Sequence, residues 1–106
     1  MIVRAWRGYA LPTRAQAYVD HFEKNVVPDL HAVAGFLGAS LLRTDLGAEV
    51  EFLVLTRWNS MEAIRAFAGD DVTKAVLEPQ AIAALVSFED TVRHYNVLRE
   101  IPGAKA

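Results

Sequence analysis

The sequence predicts an α+β fold built on one antiparallel sheet, and three observations predict it. Strand-like and helix-like segments follow one another in the order β-α-β-β-α-β. The two middle strands are joined by a short loop containing a glycine, the mark of a hairpin. The first helical segment places its apolar residues on one face and its polar residues on the other.

Ile2 to Tyr9 is a short β-branched and aromatic stretch ended by Gly8 and Pro12, and reads as the first strand. Pro12 and Thr13 then open a helix, with the Thr13 hydroxyl as the expected N-cap. Ala15, Tyr18, Val19, Phe22 and Val26 recur at helical spacing and form its apolar face. Pro28 lacks an N–H and clashes with the preceding turn, so a kink or break is expected there. Asp29 to Ala34 then reads as a short continuation that Gly35 stops.

Phe36 to Thr44 and Val50 to Trp58 are the hairpin strands around Asp45-Leu46-Gly47-Ala48. Asn59 or Ser60 caps the next helix, whose buried stripe is Met61, Ile64, Phe67 and Ala68. Gly69-Asp70-Asp71 interrupts it, and Val72 to Leu77 is expected to resume as a second short helix before Pro79. Ala81 to Leu85 fits either a further turn of helix or a connector. Phe88 to Leu98 reads as the last strand, and Arg99 to Ala106 as a loose tail, so the domain is expected to span residues 1–98.

Right-handed, non-crossing connections turn this order into a ferredoxin-like βαββαβ fold, a four-stranded antiparallel sheet with both helices on one face. Val50 to Thr56 barely alternates between apolar and polar residues, the pattern of a strand covered on both faces. The helices cover only one face. A second copy is therefore expected to cover the other, giving a dimeric α+β barrel. At about 25 cal/mol per Å² of apolar surface, a wet face would forfeit a large part of a net stability of about 5–15 kcal/mol.

Length and composition set further bounds. A chain of 106 residues has room for one domain. Its hydrophobic fraction of 53% exceeds the about 45–50% usual for soluble domains, which again asks for a partner or a ligand site. The 11 basic and 13 acidic residues are scattered, so nucleic acid is not expected as a partner. Cysteine is absent, which excludes disulfides, thiolate metal sites and cysteine nucleophiles. No signal peptide is read in the first residues, and the longest apolar run, Ala81 to Val86, is too short to span a membrane. The expectation is a cytoplasmic protein.

Three stretches carry a family resemblance that spans residues 2–98. They are Gly35-Phe36-Leu37-Gly38, the run from Phe52-Leu53-Val54-Leu55-Thr56-Arg57-Trp58 through Asn59-Ser60-Met61-Glu62-Ala63, and His94-Tyr95-Asn96-Val97. Together they resemble the antibiotic biosynthesis monooxygenase (ABM) domain. The resemblance implies a dimeric barrel whose site lies between helices and sheet. It also implies a choice among cofactor-independent monooxygenases of polycyclic phenols, haem-degrading enzymes and proteins without an assigned activity. Haem-degrading members use an Asn on the first strand, a Trp on the second helix and an iron-ligating His just after it. The matching places here hold Trp6 or Arg7, Phe67 and Leu77. Haem degradation is therefore not expected, and neither is any cofactor.

The candidate chemistry lies on the outer strands of the order. His94 faces the same side as Val92 and Asn96. Pairing of the last strand with the first brings it to the side of Arg4 and Trp6. An imidazole as general base, a guanidinium for an oxyanion and an indole for stacking suit a phenolate-type substrate. The plainer reading makes His94 a structural hydrogen-bonding residue and Trp6 part of the core. Tyr18, Phe22 and Phe67 read first as core, and the same side chains would line a pocket between helices and sheet. His21 and His31 lack the spacing of a helical metal pair, so no metal site is expected. Two functions follow: a cofactor-independent monooxygenase acting on a small aromatic or polyketide-like substrate, or a non-catalytic dimeric barrel that binds a small hydrophobic molecule or serves a structural or stress role.

Overall fold

β1 (Ile2–Ala10) is the central strand of a single antiparallel sheet in a computed structural model that describes residues 1–104. It pairs along its whole length with β3 (Val50–Trp58), from Ile2 opposite Trp58 to Ala10 opposite Val50. β3 pairs in turn with β2 (Phe36–Asp45), and a bulge between Phe36 and Gly38 shifts the register there. β4 (Ser87–Phe88) and β5 (Arg93–Asn96) both pair with β1 on its other edge, β4 near its end and β5 near its start. The order β2-β3-β1-β4 is that of the expected ferredoxin-like α+β fold.

Four local expectations change. The expected last strand is two strands, because Asp90 to Val92 leaves β1 and pairs with Thr73 to Ala75. A bridge joins Thr91 to Lys74, and Ala75 N–H donates to Asp90 O at 2.9 Å. For the same reason Val72 to Leu77 is not the helix its spacing predicts. Its backbone groups are spent on this long-range pairing rather than on each other. The turn after it is helical, α4 (Pro79–Ala84), which settles the choice left open for Ala81 to Leu85.

Thr13 does not cap the first helix. It lies inside a 3-10 turn, Pro12–Arg14, that leads directly into α1 (Ala15–His21) without a side-chain cap. Pro28 does not end the helical path, which runs on to His31, but the α-helical pattern is interrupted just before it. A π turn, Phe22–Val26, comes between α1 and α2 (Val27–His31), with the Val27 N–H reaching back five residues to Phe22 O. That wide turn gives the Pro28 ring room and absorbs its missing donor. α3 (Met61–Ala68) begins at Ser60, whose hydroxyl accepts from Ala63 N–H at 3.2 Å. Residues 97–104 form neither helix nor strand, and the last two residues of the expected tail lie outside the described residues.

The helices cover the sheet face that carries Arg4, Trp6, Phe52, Val54, Thr56 and Trp58. Two apolar clusters form beneath them, one around Trp6, Tyr18, Phe22 and Phe52, the other around Leu30, Trp58, Ala63 and Ile64. Alternation sends Val3, Ala5, Leu42, Leu53, Leu55 and Tyr95 to the opposite face. Leu42 and Tyr95 are exposed there, and Leu53 and Leu55 are half-buried.

Candidate functional site

Where the two clusters meet, a cavity of about 80 Å³ opens between the sheet and the helical layer. Its wall is mainly apolar. β1 contributes Trp6, α1 contributes Tyr18, the π turn contributes Phe22 and α3 contributes Phe67. The Tyr18 ring lies 4.9 Å from Phe52 and 6.0 Å from Trp6, so these aromatics hold one another in place. Burial raises the Tyr18 phenol above its ordinary value, so it stays protonated at neutral pH.

Trp6 is fixed at both ends. Its Nε1–H donates to Glu89 O at 2.7 Å, at the last residue before the chain leaves β1. Its six-membered ring folds back over Gly8, two residues on along the same face. A Cβ on Gly8 would sit 2.6 Å from Trp6 Cη2, so only glycine lets the indole lie flat there.

Arg4 is the polar end of the cavity. It is 5% exposed, and among the described residues no carboxylate comes within salt-bridge distance of it. Nη1 donates to Val72 O at 2.6 Å and Nη2 to Lys74 O at 2.8 Å. The segment expected to be a helix is thus the clamp on this guanidinium, and the same segment supplies Ala75 and Leu77 to the cavity wall. Burial lowers the Arg4 pKa to about 10, which still leaves it charged at neutral pH. A buried cation held only by neutral acceptors is costly unless an anion joins it.

His94 stands directly opposite Arg4 in the β1–β5 register, with Nε2 3.0 Å from Arg4 Nη1. A guanidinium can only donate. The imidazole must therefore be neutral with Nε2 as acceptor. Burial and then the Arg4 charge both lower its pKa, which favours that neutral form. Period-two alternation does bring His94, Arg4 and Trp6 to one face. His94, however, is not among the residues that line the cavity, and its Nε2 lone pair is already engaged.

Arg4, Trp6, Tyr18, Phe22 and Phe67 all line the cavity, as does a residue that sequence reasoning weighed only as a metal ligand. His21, at the end of α1, is 6% exposed. Its Nδ1 is 3.0 Å from Asn25 Nδ2, while its Nε2 is buried without a partner. The sequence signal was its position three residues after Tyr18 and directly before Phe22, on the face that turns inward. Thr56 lines the cavity as well, its hydroxyl accepting from Trp58 Nε1 at 2.8 Å. Asp29 and Glu78 stand in the same wall. Among the described residues no three His, Cys, Asp or Glu side chains cluster as metal ligands would.

A family model described as antibiotic biosynthesis monooxygenase matches residues 1–79. No curated protein matches the chain in sequence. Among solved structures, a Bacillus cereus protein provisionally described as an antibiotic biosynthesis monooxygenase is similar with a TM-score of 0.71, at 15% identity over 99% of this chain and 98% of that one. SnoaB, a cofactor-independent oxygenase from Streptomyces nogalater, has a TM-score of 0.63 at 13% identity, covering 96% of this chain and 98% of that one. The haem-degrader MhuD from Mycobacterium tuberculosis, solved with two haems in its active site, has a TM-score of 0.55 at 26% identity, covering 96% of this chain and 100% of that one.

Proposed function

Because the chain belongs to the antibiotic biosynthesis monooxygenase family, we propose that it is a cofactor-independent monooxygenase that oxidises a small aromatic or polyketide-like phenol in this cavity. The observation that carries the reading is the Arg4 guanidinium, buried without a carboxylate at the polar end of an aromatic cavity. A phenol entering beside that cation ionises more easily, because a nearby positive charge favours the anion. Its proton leaves to solvent.

The phenolate then serves as its own reductant. The ring carbon passes electrons to dioxygen and forms a C–O bond, and the resulting hydroperoxide loses water as its C–H proton departs. The net change is a phenol plus dioxygen giving a quinone plus water, and no cofactor is consumed. Trp6, Tyr18 and Phe22 stack against the rings and keep water out, while Arg4 stabilises the negative charge. His94 contributes by accepting from Nη1 and so orienting the guanidinium. As a base it would first have to release Arg4.

We further propose that the protein works as a homodimer in the cytoplasm. Support for the dimer comes from the apolar centre of the uncovered sheet face, Leu42, Leu53, Leu55 and Tyr95. No helix among the described residues is long and apolar enough to cross a membrane.

Oxygen uptake with a panel of polycyclic phenols, without added metal or flavin, tests the reading. Equimolar consumption of dioxygen and phenol supports it. The engaged state of His94 Nε2 favours a second reading, a barrel that binds an aromatic anion without turnover. Tight binding without oxygen uptake by any member of the panel would select that one.

A further inference from the structure

Two buried polar groups face this cavity from opposite layers, and only one has a function so far. Arg4 rises from the sheet, while His21 descends from the end of α1. Inside the protein, the imidazole of His21 is half satisfied. Asn25, one turn further on, places Nδ2 3.0 Å from Nδ1 and also donates to Gln80 Oε1 at 3.3 Å. With Nδ1 accepting from Asn25, the ring proton sits on Nε2. That N–H is buried and has no acceptor. A donor left without a partner costs free energy that an acceptor inside the cavity would recover.

We propose that His21 is a ligand-contacting residue whose Nε2–H hydrogen-bonds a neutral oxygen of the aromatic whose ionised oxygen lies against Arg4. The proposal rests on the reading of the cavity as an aromatic-anion site, and narrows the ligand it selects. The ligand carries two oxygens on opposite edges of a fused or extended ring system, one anionic and one an acceptor such as a ring carbonyl. A phenol with a single oxygen satisfies Arg4 and leaves the His21 donor stranded. A hydroxylated ring ketone satisfies both, and the stranded donor is the price of choosing wrongly.

The test compares two probes by quenching of tryptophan fluorescence, since Trp6 lines the cavity. The anion of 2-hydroxy-1,4-naphthoquinone offers an ionised oxygen and ring carbonyls. The anion of 2-naphthoate offers a charge and a bare far edge. His21→Phe should weaken naphthoquinone binding about fivefold or more, the scale of one lost hydrogen bond, and weaken naphthoate binding markedly less. His21→Gln, which keeps a donor, should restore part of the loss. Arg4→Gln should weaken both probes.

Equal weakening of both probes by His21→Phe would reduce His21 to a wall residue and overturn the proposal, as would no weakening of either. If the wild-type protein binds neither probe, the aromatic-anion reading itself fails and takes this inference with it. A measurement on the wild-type chain decides the matter even where the variants fold poorly. The ¹⁵N resonance of His21 Nε2 should move much further on adding the naphthoquinone than on adding naphthoate. A resonance that ignores both probes while they bind would overturn the assignment.

Discussion

Arg4 and His94 face each other across paired strands, with Nη1 of one 3.0 Å from Nε2 of the other. Two groups that can both carry positive charge are neighbours here because one of them is neutral. The guanidinium donates and the imidazole accepts. Protonating His94 would set a donor against a donor and a cation against a cation in a half-buried place, so the contact is intrinsically sensitive to acid.

The pH dependence of stability follows from that contact. The folded pKa of His94 lies below its ordinary value of about 6.5. In the window between the two values the unfolded chain binds more protons, so stability rises with pH there. The contribution is complete above the unfolded value and is lost as pH falls through that window. Chemical denaturation at a series of pH values should show this slope in the wild type, and His94→Gln should flatten it. An unchanged slope in the variant would assign the dependence to other groups.

Arg4 also tethers a loop. Its bonds to Val72 O and Lys74 O join β1 to a segment about 70 residues away in sequence, separations of 68 and 70. Arg4→Met should increase amide hydrogen exchange across Val72 to Leu77 and leave the β2–β3 hairpin protected. Arg4→Lys should rescue little of this, because one ammonium does not reproduce the planar fork. With an active substrate in hand, Arg4→Met should lower kcat by about 10²–10³, the usual scale for losing an anion-stabilising donor.

Gly8→Ala tests how the indole of Trp6 is seated. The added methyl would meet the ring at 2.6 Å and the Leu85 side chain at 3.2 Å. The indole must then tilt away from Gly8 and strain its 2.7 Å bond to Glu89 O. Expected are a lower Tm, a destabilisation of about 1–3 kcal/mol as for other overpacked sites, and a shifted tryptophan emission. A variant with native emission and Tm would mean that the strand yields at no cost.

The uncovered sheet face gives the quaternary prediction. Leu55→Glu places a charge on its apolar centre, opposite Ser40 on β2 and Ala5 on β1. Sedimentation should report a dimer for the wild type at micromolar concentration and a monomer, less stable, for the variant. A well-folded wild-type monomer would remove the barrel from the account.

Much of this arrangement was legible in the sequence, because local patterns decide it. Period-two alternation put Arg4 and Trp6 on one face of β1, and the short glycine-containing loop at Asp45 to Ala48 marked the β2–β3 hairpin. What escaped was decided by contacts between residues far apart in the chain. Val72 to Leu77 has the spacing of a helix, yet Arg4 and the segment at Asp90 and Thr91 claim its backbone groups first. His21 was weighed only as half of a metal pair whose spacing fails. Its solitary Nε2 becomes visible only once Asn25 and the cavity are placed around it.

The π turn at Phe22–Val26 has a consequence for comparing this chain with its relatives. One helical path serves both apolar clusters, Tyr18 and Phe22 in the first and Leu30 in the second, and a five-residue turn sits between them. The wide turn holds one residue more than an α turn would. Counting positions along the helix therefore carries over from a regular homologue on one side of Phe22–Val26 and slips by one residue on the other. Matching residues across this helix has to be done separately for each half. An insertion or deletion confined to the turn would swivel Tyr18 and His21 relative to Leu30 by roughly 100°, so such an event would redraw the ligand wall without altering a single side chain in it.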